Sequence, residues 1–387
     1  MKEIQSIIET YEALRKEKRS CVLATVVHVE GSSYRRAGAR MLVDENGEMT
    51  GAISGGCLEG DALRKALHAL TQVKNKLVTY DTSDEEDAVI GAQLGCNGVI
   101  QVLFEPIDYE EAHNPVELLK KAIKNDDEAI VVTFFNLKKS AKQPGTQLLF
   151  TDTNTPEVVG LLPQAKVFDQ VKKDVDLVFK NRASVFRSYQ GEEGSEYFLF
   201  IEYFSPPITL VLVGAGNDAQ VLAKQADILG WNIIIADGRP SHASTNRFAS
   251  SCQLVVAHPE SLFDSIQPTD RMAFVLMTHN YQYDLSVLKL LLDQPVIPYI
   301  GILGPYKKYH RMLDDLRDER VFLSEEQSSK IHAPVGLEIG AESPAEIGLS
   351  ILAEVQAVFT QTPGSFLKNK QGPIHKKKNS QFETIKI

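Results

Sequence analysis

The stretch ITLVLVGAGNDAQVLAKQADILGWNIIIADG, residues 208–238, decides the fold of the second half of this 387-residue chain. An apolar run ends in a glycine-rich turn, a helical segment follows, and a second apolar run closes the stretch. The turn has the spacing GxGxxA and lies between a predicted strand and a predicted helix, the setting that a dinucleotide-binding fingerprint requires. Gly214 would permit the tight turn, Gly216 would let backbone approach a pyrophosphate, and Ala219 would allow close helix–strand packing. The stretch therefore predicts the opening unit of a Rossmann-type fold.

The same alternation of strand and helix continues after this stretch. Further strands are predicted at SCQLVVAH, MAFVLMTH and VIPYIGILG, and a helix at DLSVLKLLLD lies between the last two. Continuous apolar strands separated by helices indicate a parallel sheet that is covered on both faces. A final helix begins at Pro344, directly after Ser343, which is a good N-cap. We predict an α/β protein whose C-terminal part is a Rossmann-type doubly wound parallel sheet.

The N-terminal half has a different pattern and predicts a mixed α+β domain. CVLATVVHVEG (21–31) has the composition of a strand, and RMLVDENGEMTGAIS (40–54) predicts a hairpin that turns at Asn46-Gly47. The paired prolines of SPPITL mark a boundary. We predict an N-terminal α+β domain over 1–204, a Rossmann domain over 205–360, and a flexible lysine-rich tail over 361–387.

Residues after the second apolar strand of the Rossmann part bear on its ligand. Asp237 ends that strand and could accept a hydrogen bond from a ribose 2′-hydroxyl, which favours NAD, whereas Arg239 could receive the 2′-phosphate of NADP. Asp218 places negative charge near the helix N-terminus, where a phosphate would bind. His279 lies at the end of a later strand, at the edge where α/β sheets bind ligands. The alternative is a doubly wound sheet whose nucleotide site has been reassigned.

A second glycine-rich signal lies in the N-terminal half, in GSSYRRAGAR (31–40) and SGGCLEGD (54–61). Gly55 and Gly56 would let a ligand approach the backbone, and Cys57 precedes a predicted helix, whose N-terminus stabilises a thiolate. Three arginines within six positions, which suit an anionic group, are Arg35, Arg36 and Arg40. The alternative interpretation is a small buried cysteine in a tight turn, flanked by solvated arginines. Cys96 lies in another glycine-rich turn, LGCNG.

Composition limits the class of protein. The chain has 41 basic and 51 acidic residues, a formal net charge of −10, which disfavours nucleic acid and anionic membranes as partners. Its four cysteines form no CxxC pair, so neither a disulfide framework nor a structural zinc site of common spacing is expected. The charged N-terminal residues do not resemble a signal peptide, and we expect a cytoplasmic protein.

These segments together resemble the xanthine dehydrogenase accessory factor family, XdhC/CoxI. The resemblance covers most of the chain, and its most distinctive blocks are SGGCLEGD and IHAPVGLEIGA. Two departures are the long stretch from about 115 to 200 and GPYKKYHRM, where the family more often has an arginine-rich turn. The family resemblance places a cysteine domain before a Rossmann domain with an NAD(P)-type site at Gly214, Gly216 and Asp237.

The resemblance implies an accessory protein that binds molybdenum cofactor and helps insert its sulfurated form into a molybdenum hydroxylase, with no turnover of its own. Under this implication Cys57 and Cys96 contact molybdenum or hold sulfur, because thiolates suit a soft metal. Arg35, Arg36 and Arg40 become candidates for the cofactor's phosphate. The implied partners are the hydroxylase client, a cysteine desulfurase and a second copy in a homodimer.

Two other hypotheses come from different classes of function. The Rossmann part could serve an NAD(P)-dependent oxidoreductase with His279 as acid/base, which would leave the cysteine block unexplained. A redox-sensing or scaffolding protein, in which a bound nucleotide alters a partner interface, is the third. Since large cofactors commonly bind between domains, the sequence also predicts a pocket between the two halves or across a dimer.

Overall fold

The structure is a computed structural model that describes residues 2–31, 33–81, 98–124, 127–138, 141–152, 155–158, 164–190, 196–371 and 382–386. The chain forms two compact units: unit 1 comprises Met1–Pro206 and Gln371–Ile387, and unit 2 comprises Pro207–Lys370. The division falls between the paired prolines of SPPITL. Among the described residues, no helix is long and apolar enough to cross a membrane.

Unit 1 begins with an antiparallel sheet, sheet A, in the order β3-β2-β1-β5-β4. Helix α1 (Lys2–Glu17) precedes it, and α2 (Glu59–Gln72) lies between its third and fourth strands. The strands are β1 (Cys21–Gly31), β2 (Arg40–Asp44), β3 (Met49–Gly51), β4 (Lys76–Asp81) and β5 (Gly98–Pro106). The predicted hairpin at Asn46-Gly47 is confirmed: Gly47 has φ +86°, and the Asp44 carboxylate accepts the amide protons of Asn46 and Glu48.

A second sheet, sheet B, accounts for most of the stretch from 115 to 200. Helices α3 (Pro115–Lys124) and α4 (Ala165–Asn181) accompany it. Its strands are β6 (Ala129–Phe135), β7 (Gly145–Phe150), β8 (Glu157–Val158), β9 (Val185–Gln190) and β10 (Glu196–Phe204). The order is β17-β9-β10-β6-β7-β8, where the terminal strand β17 (Glu383–Lys386) comes from the tail.

The core of unit 1 is layered. Alternate residues of β1 pack on α2, while the opposite face of sheet A packs toward sheet B through Val27, Leu103 and Phe200. Helix α4 covers the outer face of sheet B. The alternation of side chains across a strand gives each sheet two apolar faces, and each face has a partner layer.

Unit 2 is a six-stranded parallel sheet, sheet C, in the order β13-β12-β11-β14-β15-β16. In chain order the elements are β11 (Thr209–Val213), α5 (Asn217–Ile228), β12 (Asn232–Asp237), β13 (Cys252–Val256), β14 (Met272–Leu276), α6 (Tyr281–Leu292), β15 (Tyr299–Ile302), α7 (Tyr306–Asp318), α8 (Glu325–Ser329), β16 (Ile331–His332) and α9 (Pro344–Phe359). This order places strands one to six as 3-2-1-4-5-6, the Rossmann arrangement. The predicted α/β fold class is confirmed.

Helices cover both faces of sheet C, as the continuous apolar strands predicted. Helices α5 and α9 pack on one face, and α6 and α7 pack on the other. The predicted N-cap of α9 is also confirmed, since the Ser343 hydroxyl accepts the Glu346 amide proton and the Glu346 carboxylate accepts that of Ser343.

Candidate functional site

The thiol turn, residues 54–58, is built around a buried hydroxyl. The Oγ atom of Ser54 accepts the amide protons of Gly56 (3.2 Å) and Leu58 (3.1 Å), and it donates to the Glu59 carboxylate. The Cys57 Sγ atom lies 3.6 Å from the same oxygen, and its residue is exposed. The turn therefore satisfies its own backbone from within and leaves the thiol accessible at the start of α2.

Glu59 is the carboxylate that holds this turn together. Its Oε1 atom accepts the Ser54 amide proton at 2.9 Å, in addition to the hydroxyl contact. Burial alone would raise the pKa of Glu59, but the Ser54 hydroxyl and backbone amide, with those of Leu58 and Glu59, outweigh it and hold that pKa below its ordinary value of 4.5. The thiol turn thus contains a fixed negative charge.

The arginine loop, residues 33–40, lies against the thiol turn. The Tyr34 ring covers Gly55, where an added methyl group would lie 2.9 Å from the ring. Arg35 donates to Glu3 at 2.9 Å, and the other oxygen of Glu3 accepts the Ala52 amide proton at 3.1 Å. Arg36 is exposed. The structure therefore brings together the two motifs that the sequence analysis singled out.

Arg40 faces the interior instead. Its guanidinium is 3% exposed, forms a two-pronged ion pair with Glu202, and lies over the Phe204 ring. Its Nη1 also donates to the Gly38 carbonyl at 2.8 Å. A group that is buried and already paired cannot receive a phosphate without breaking that pair. We therefore leave Arg40 out of the candidate site and correct the expectation that all three arginines serve it.

The other cysteines differ from Cys57. Cys96 lies outside the described residues, so the structure does not locate it. Cys21 is buried against the Tyr109 hydroxyl, and Cys252 packs at the margin of the core of unit 2. No group of three or more His, Cys, Asp or Glu side chains able to hold a metal occurs in the described part of the chain.

The Rossmann turn, residues 214–217, connects β11 to α5. Gly214 has φ +117°, and a methyl group there would lie 2.6 Å from the Met277 carbonyl oxygen and 2.8 Å from the Thr278 Cα. The close approach of the turn to the end of β14 is therefore the reason for glycine. At Gly216, which N-caps α5, a methyl group would meet no described atom within 4 Å. Gly216 faces open space, as the fingerprint requires.

Asp237 closes this turn from inside. Its carboxylate accepts the Ala215 amide proton at 2.8 Å, the Arg239 amide proton at 2.9 Å, and two guanidinium contacts from Arg239 at 2.8 and 2.9 Å. Burial alone would raise the pKa of Asp237, but Arg239 and these amides lower it below its ordinary value of 3.8. The acceptor and the cation assigned to the ribose and the 2′-phosphate are thus bound to each other.

His279 is exposed and has φ +59°, a conformation that non-glycine residues seldom adopt. The flanking residues are fixed: the Thr278 hydroxyl lies 2.6 Å from the Asp284 carboxylate, and Asn280 N-caps α6. Lys308 donates to the same carboxylate at 2.7 Å. This contact explains part of the GPYKKYHRM departure, since the lysine ties the turn after β15 to α6.

A cavity of about 430 Å³ lies elsewhere in unit 1, between α1 and the β2–β3 hairpin. Its lining includes Glu9, Glu17, Asp44 and Glu48, and it excludes Cys57. We base the candidate site on the exposed thiol turn, because acidic walls do not suit an anionic ligand.

Three side chains of the site escaped the sequence analysis: Glu3, Tyr34 and Glu59. Glu59 was accessible in principle, since a serine five residues before a glutamate at a helix start resembles a capping arrangement. Glu3 had no such signal, because its partners Arg35 and Ala52 are distant in sequence.

The fold and these contacts define a class of protein: a two-unit α/β chain with an exposed thiol turn in one unit and a Rossmann sheet in the other. A family model described as the XdhC and CoxI family matches residues 14–81, and the XdhC Rossmann domain matches residues 210–355. The chain belongs to the XdhC and CoxI family, and the resemblance stated from sequence is confirmed.

Relatives support this assignment over nearly the whole chain. A Bacillus subtilis (strain 168) protein named as a probable xanthine dehydrogenase component is 31% identical over 344 residues, which are 89% of this chain and 94% of that protein. The molybdenum cofactor insertion chaperone PaoD of Escherichia coli (strain K12) is 25% identical, over 90% of this chain and 86% of that one. The crystal structure of a Bacillus halodurans protein described as a xanthine dehydrogenase has a TM-score of 0.71 and 29% identity, and covers 92% of this chain and 96% of that chain.

Proposed function

We propose that this protein is a maturation factor for a molybdenum hydroxylase of the xanthine dehydrogenase type, and that it binds molybdenum cofactor at the thiol turn. The observation that carries the proposal is the contact between the arginine loop and the thiol turn, through Tyr34 on Gly55. The relatives whose names refer to xanthine dehydrogenase and to cofactor insertion support the maturation role.

The residues at the turn suit this cargo. Cys57 offers an exposed sulfur to a soft metal, and Gly56, with φ +109° and open space around it, allows close approach to the backbone. Arg36 offers an exposed guanidinium to a phosphate, and Arg35 could join it by exchanging Glu3 for the ligand. Ser54 and Glu59 are positioning residues that keep the thiol turned outward.

In this proposal the chain has no turnover of its own. It receives sulfur with the help of a cysteine desulfurase, then transfers the sulfurated cofactor to the hydroxylase in the cytoplasm. The unpaired state of Cys21, Cys57 and Cys252 supports a reducing compartment. The homodimer stays a prediction. We do not include NAD(P), because Asp237 and Arg239 bind each other.

The test measures cofactor retention by the full chain after gel filtration, using the fluorescence of the oxidised pterin. We expect Cys57→Ser to bind the cofactor at least tenfold more weakly, a loss of about 1.4 kcal/mol, and Cys96→Ser to be examined in parallel. Cys252→Ser is the matched control, since that thiol lies in unit 2. If Cys57→Ser keeps the wild-type stoichiometry and thermal melt, a thiol ligand at this position is ruled out.

The insertion step requires a separate measurement. Cofactor-loaded wild-type chain should restore activity to a cofactor-free molybdenum hydroxylase faster than free cofactor does. Cofactor bound without any gain in hydroxylase activity would contradict a maturation role while preserving the binding site.

A further inference from the structure

The edge of sheet B is completed by a strand from the far end of the chain. Strand β17 runs parallel to β9, with Glu383 opposite Arg187, Thr384 opposite Ser188, Ile385 opposite Tyr189 and Lys386 opposite Gln190. Strand β9 is also paired along its other side with β10. A short strand added in this way to an existing edge is the geometry by which sheets bind extended peptides.

An aromatic pocket receives the residue just before that strand. The Phe382 ring stacks on His28, with ring centroids 4.2 Å apart, and meets Phe198 edge-on at 5.1 Å. Phe135 and Phe186 lie with centroids 6.0 Å away. These side chains belong to β1, β6, β9 and β10, so both sheets of unit 1 contribute to the pocket. Burial of an aromatic anchor among rings supplies affinity and register.

A buried arginine contacts the next position. The Arg187 guanidinium is 5% exposed, donates to Asp174 at 2.9 Å and lies 3.0 Å from the Glu383 carboxylate. Thr384 is contacted by the Ser188 hydroxyl at 3.2 Å. The site therefore specifies an aromatic residue followed by an acidic one and then by a hydroxyl.

The bound segment is held by few contacts of its own. Glu383, Thr384 and Lys386 are exposed, and the Glu383 side chain remains 64% exposed despite its ion pair. Phe382 and Ile385 are only partly buried. An exposed ion pair of this kind contributes less than about 1 kcal/mol. The segment resembles a bound ligand more than an integral strand of the sheet.

We propose that the edge of β9, with the aromatic pocket around His28, is a docking site for an extended peptide, and that Phe382–Lys386 is its resident, exchangeable ligand. The same segment from a second copy of the chain is the partner that the site fits. Covalent attachment keeps the chain's own segment at a high effective concentration, so this segment outcompetes the second copy until it is weakened.

The test uses full-length chains and a labelled synthetic peptide, QFETIKI, the sequence of residues 381–387. Fluorescence anisotropy should show that Phe382→Ala protein binds this peptide at least tenfold more tightly than wild type, because the resident segment no longer competes. The peptide QAETIKI should not bind. Phe366→Ala, which alters an exposed phenylalanine in unit 2, is the control and should behave as wild type.

Equal binding of QFETIKI by wild type and Phe382→Ala, or equal binding of QAETIKI, would overturn the proposal. Glu383→Lys is the second variant, since it keeps the ring and places a cation beside Arg187. Hydrogen exchange of the wild-type chain needs no variant: amides of Glu383–Lys386 should exchange at least a hundredfold faster than those of β10. Equal protection would show that β17 is an integral strand.

Discussion

Two glycine-rich turns, the thiol turn in unit 1 and the Rossmann turn in unit 2, each lead from a strand into a helix. In both, a carboxylate accepts a backbone amide proton of the turn: Glu59 accepts that of Ser54, and Asp237 accepts that of Ala215. In the thiol turn the remaining partner of the carboxylate is a neutral hydroxyl. In the Rossmann turn it is the guanidinium of Arg239.

The difference determines what each turn can offer to a ligand. The thiol turn satisfies its polar groups internally with Ser54 and leaves Cys57 exposed. The Rossmann turn satisfies Asp237 with Arg239, the two side chains from which nucleotide recognition was predicted. A fingerprint fixes where the backbone goes, whereas the pairing of a few side chains decides whether the groups it brings there are available.

The largest expected effect concerns the same contrast within the arginine loop, between Arg40 and Arg36. Arg40→Ala removes one partner of a buried ion pair and leaves Glu202 uncompensated, which should lower the free energy of unfolding by about 4 kcal/mol. Arg36→Ala removes an exposed side chain and should change it by less than about 0.5 kcal/mol. Urea denaturation of both variants measures the difference; similar losses would show that Arg36 is structural too.

The glycines of the two turns should differ by less. Gly214→Ala places a methyl group 2.6 Å from the Met277 carbonyl oxygen and also strains φ, and should cost about 3 kcal/mol. Gly56→Ala has a similar positive φ but open space around it, so only the conformational cost of about 1 kcal/mol remains. Thermal and urea unfolding of both variants provide the comparison. An equal cost would mean that φ alone, and not the approach to β14, determines the need for glycine at Gly214.

Sequence patterns predicted those parts of the fold that depend on local periodicity. The strand–turn–helix at Gly214, the hairpin at Asn46-Gly47 and the cap at Ser343 each follow from residues close together in the chain. Strand β17 was not predicted, and a flexible tail was expected there, because the four residues ETIK form a strand only by pairing with β9. Such pairing is non-local and leaves little trace in a short polar segment.

The same limit applies to the site. Cysteine and arginine motifs indicated which segments matter, and the contact of Tyr34 with Gly55 shows two of them together. The loss of Arg40 to Glu202, 162 positions away, could not be seen from spacing. The role of Cys96 stays a prediction, since it lies outside the described residues.

The smallest expected effect tests whether the Rossmann turn is closed by Arg239 alone. The pKa of Asp237 lies below 3.8 in the folded chain, so this group stabilises the fold above about pH 4, and its contribution is lost as the pH falls through the folded pKa. Arg239→Ala should raise that pKa, narrow the pH dependence of stability below about pH 4, and leave the Ala215 amide contact intact. Because Arg239 is half exposed, added salt should mimic part of the substitution. Ser54→Ala should raise the pKa of Glu59 with little dependence on salt, since its donors are neutral. NMR titration of both carboxyl groups measures the shifts, and calorimetry should show that NAD binds Arg239→Ala more tightly than wild type. If NAD binds both proteins equally or neither, the pairing of Asp237 with Arg239 is not what closes the turn.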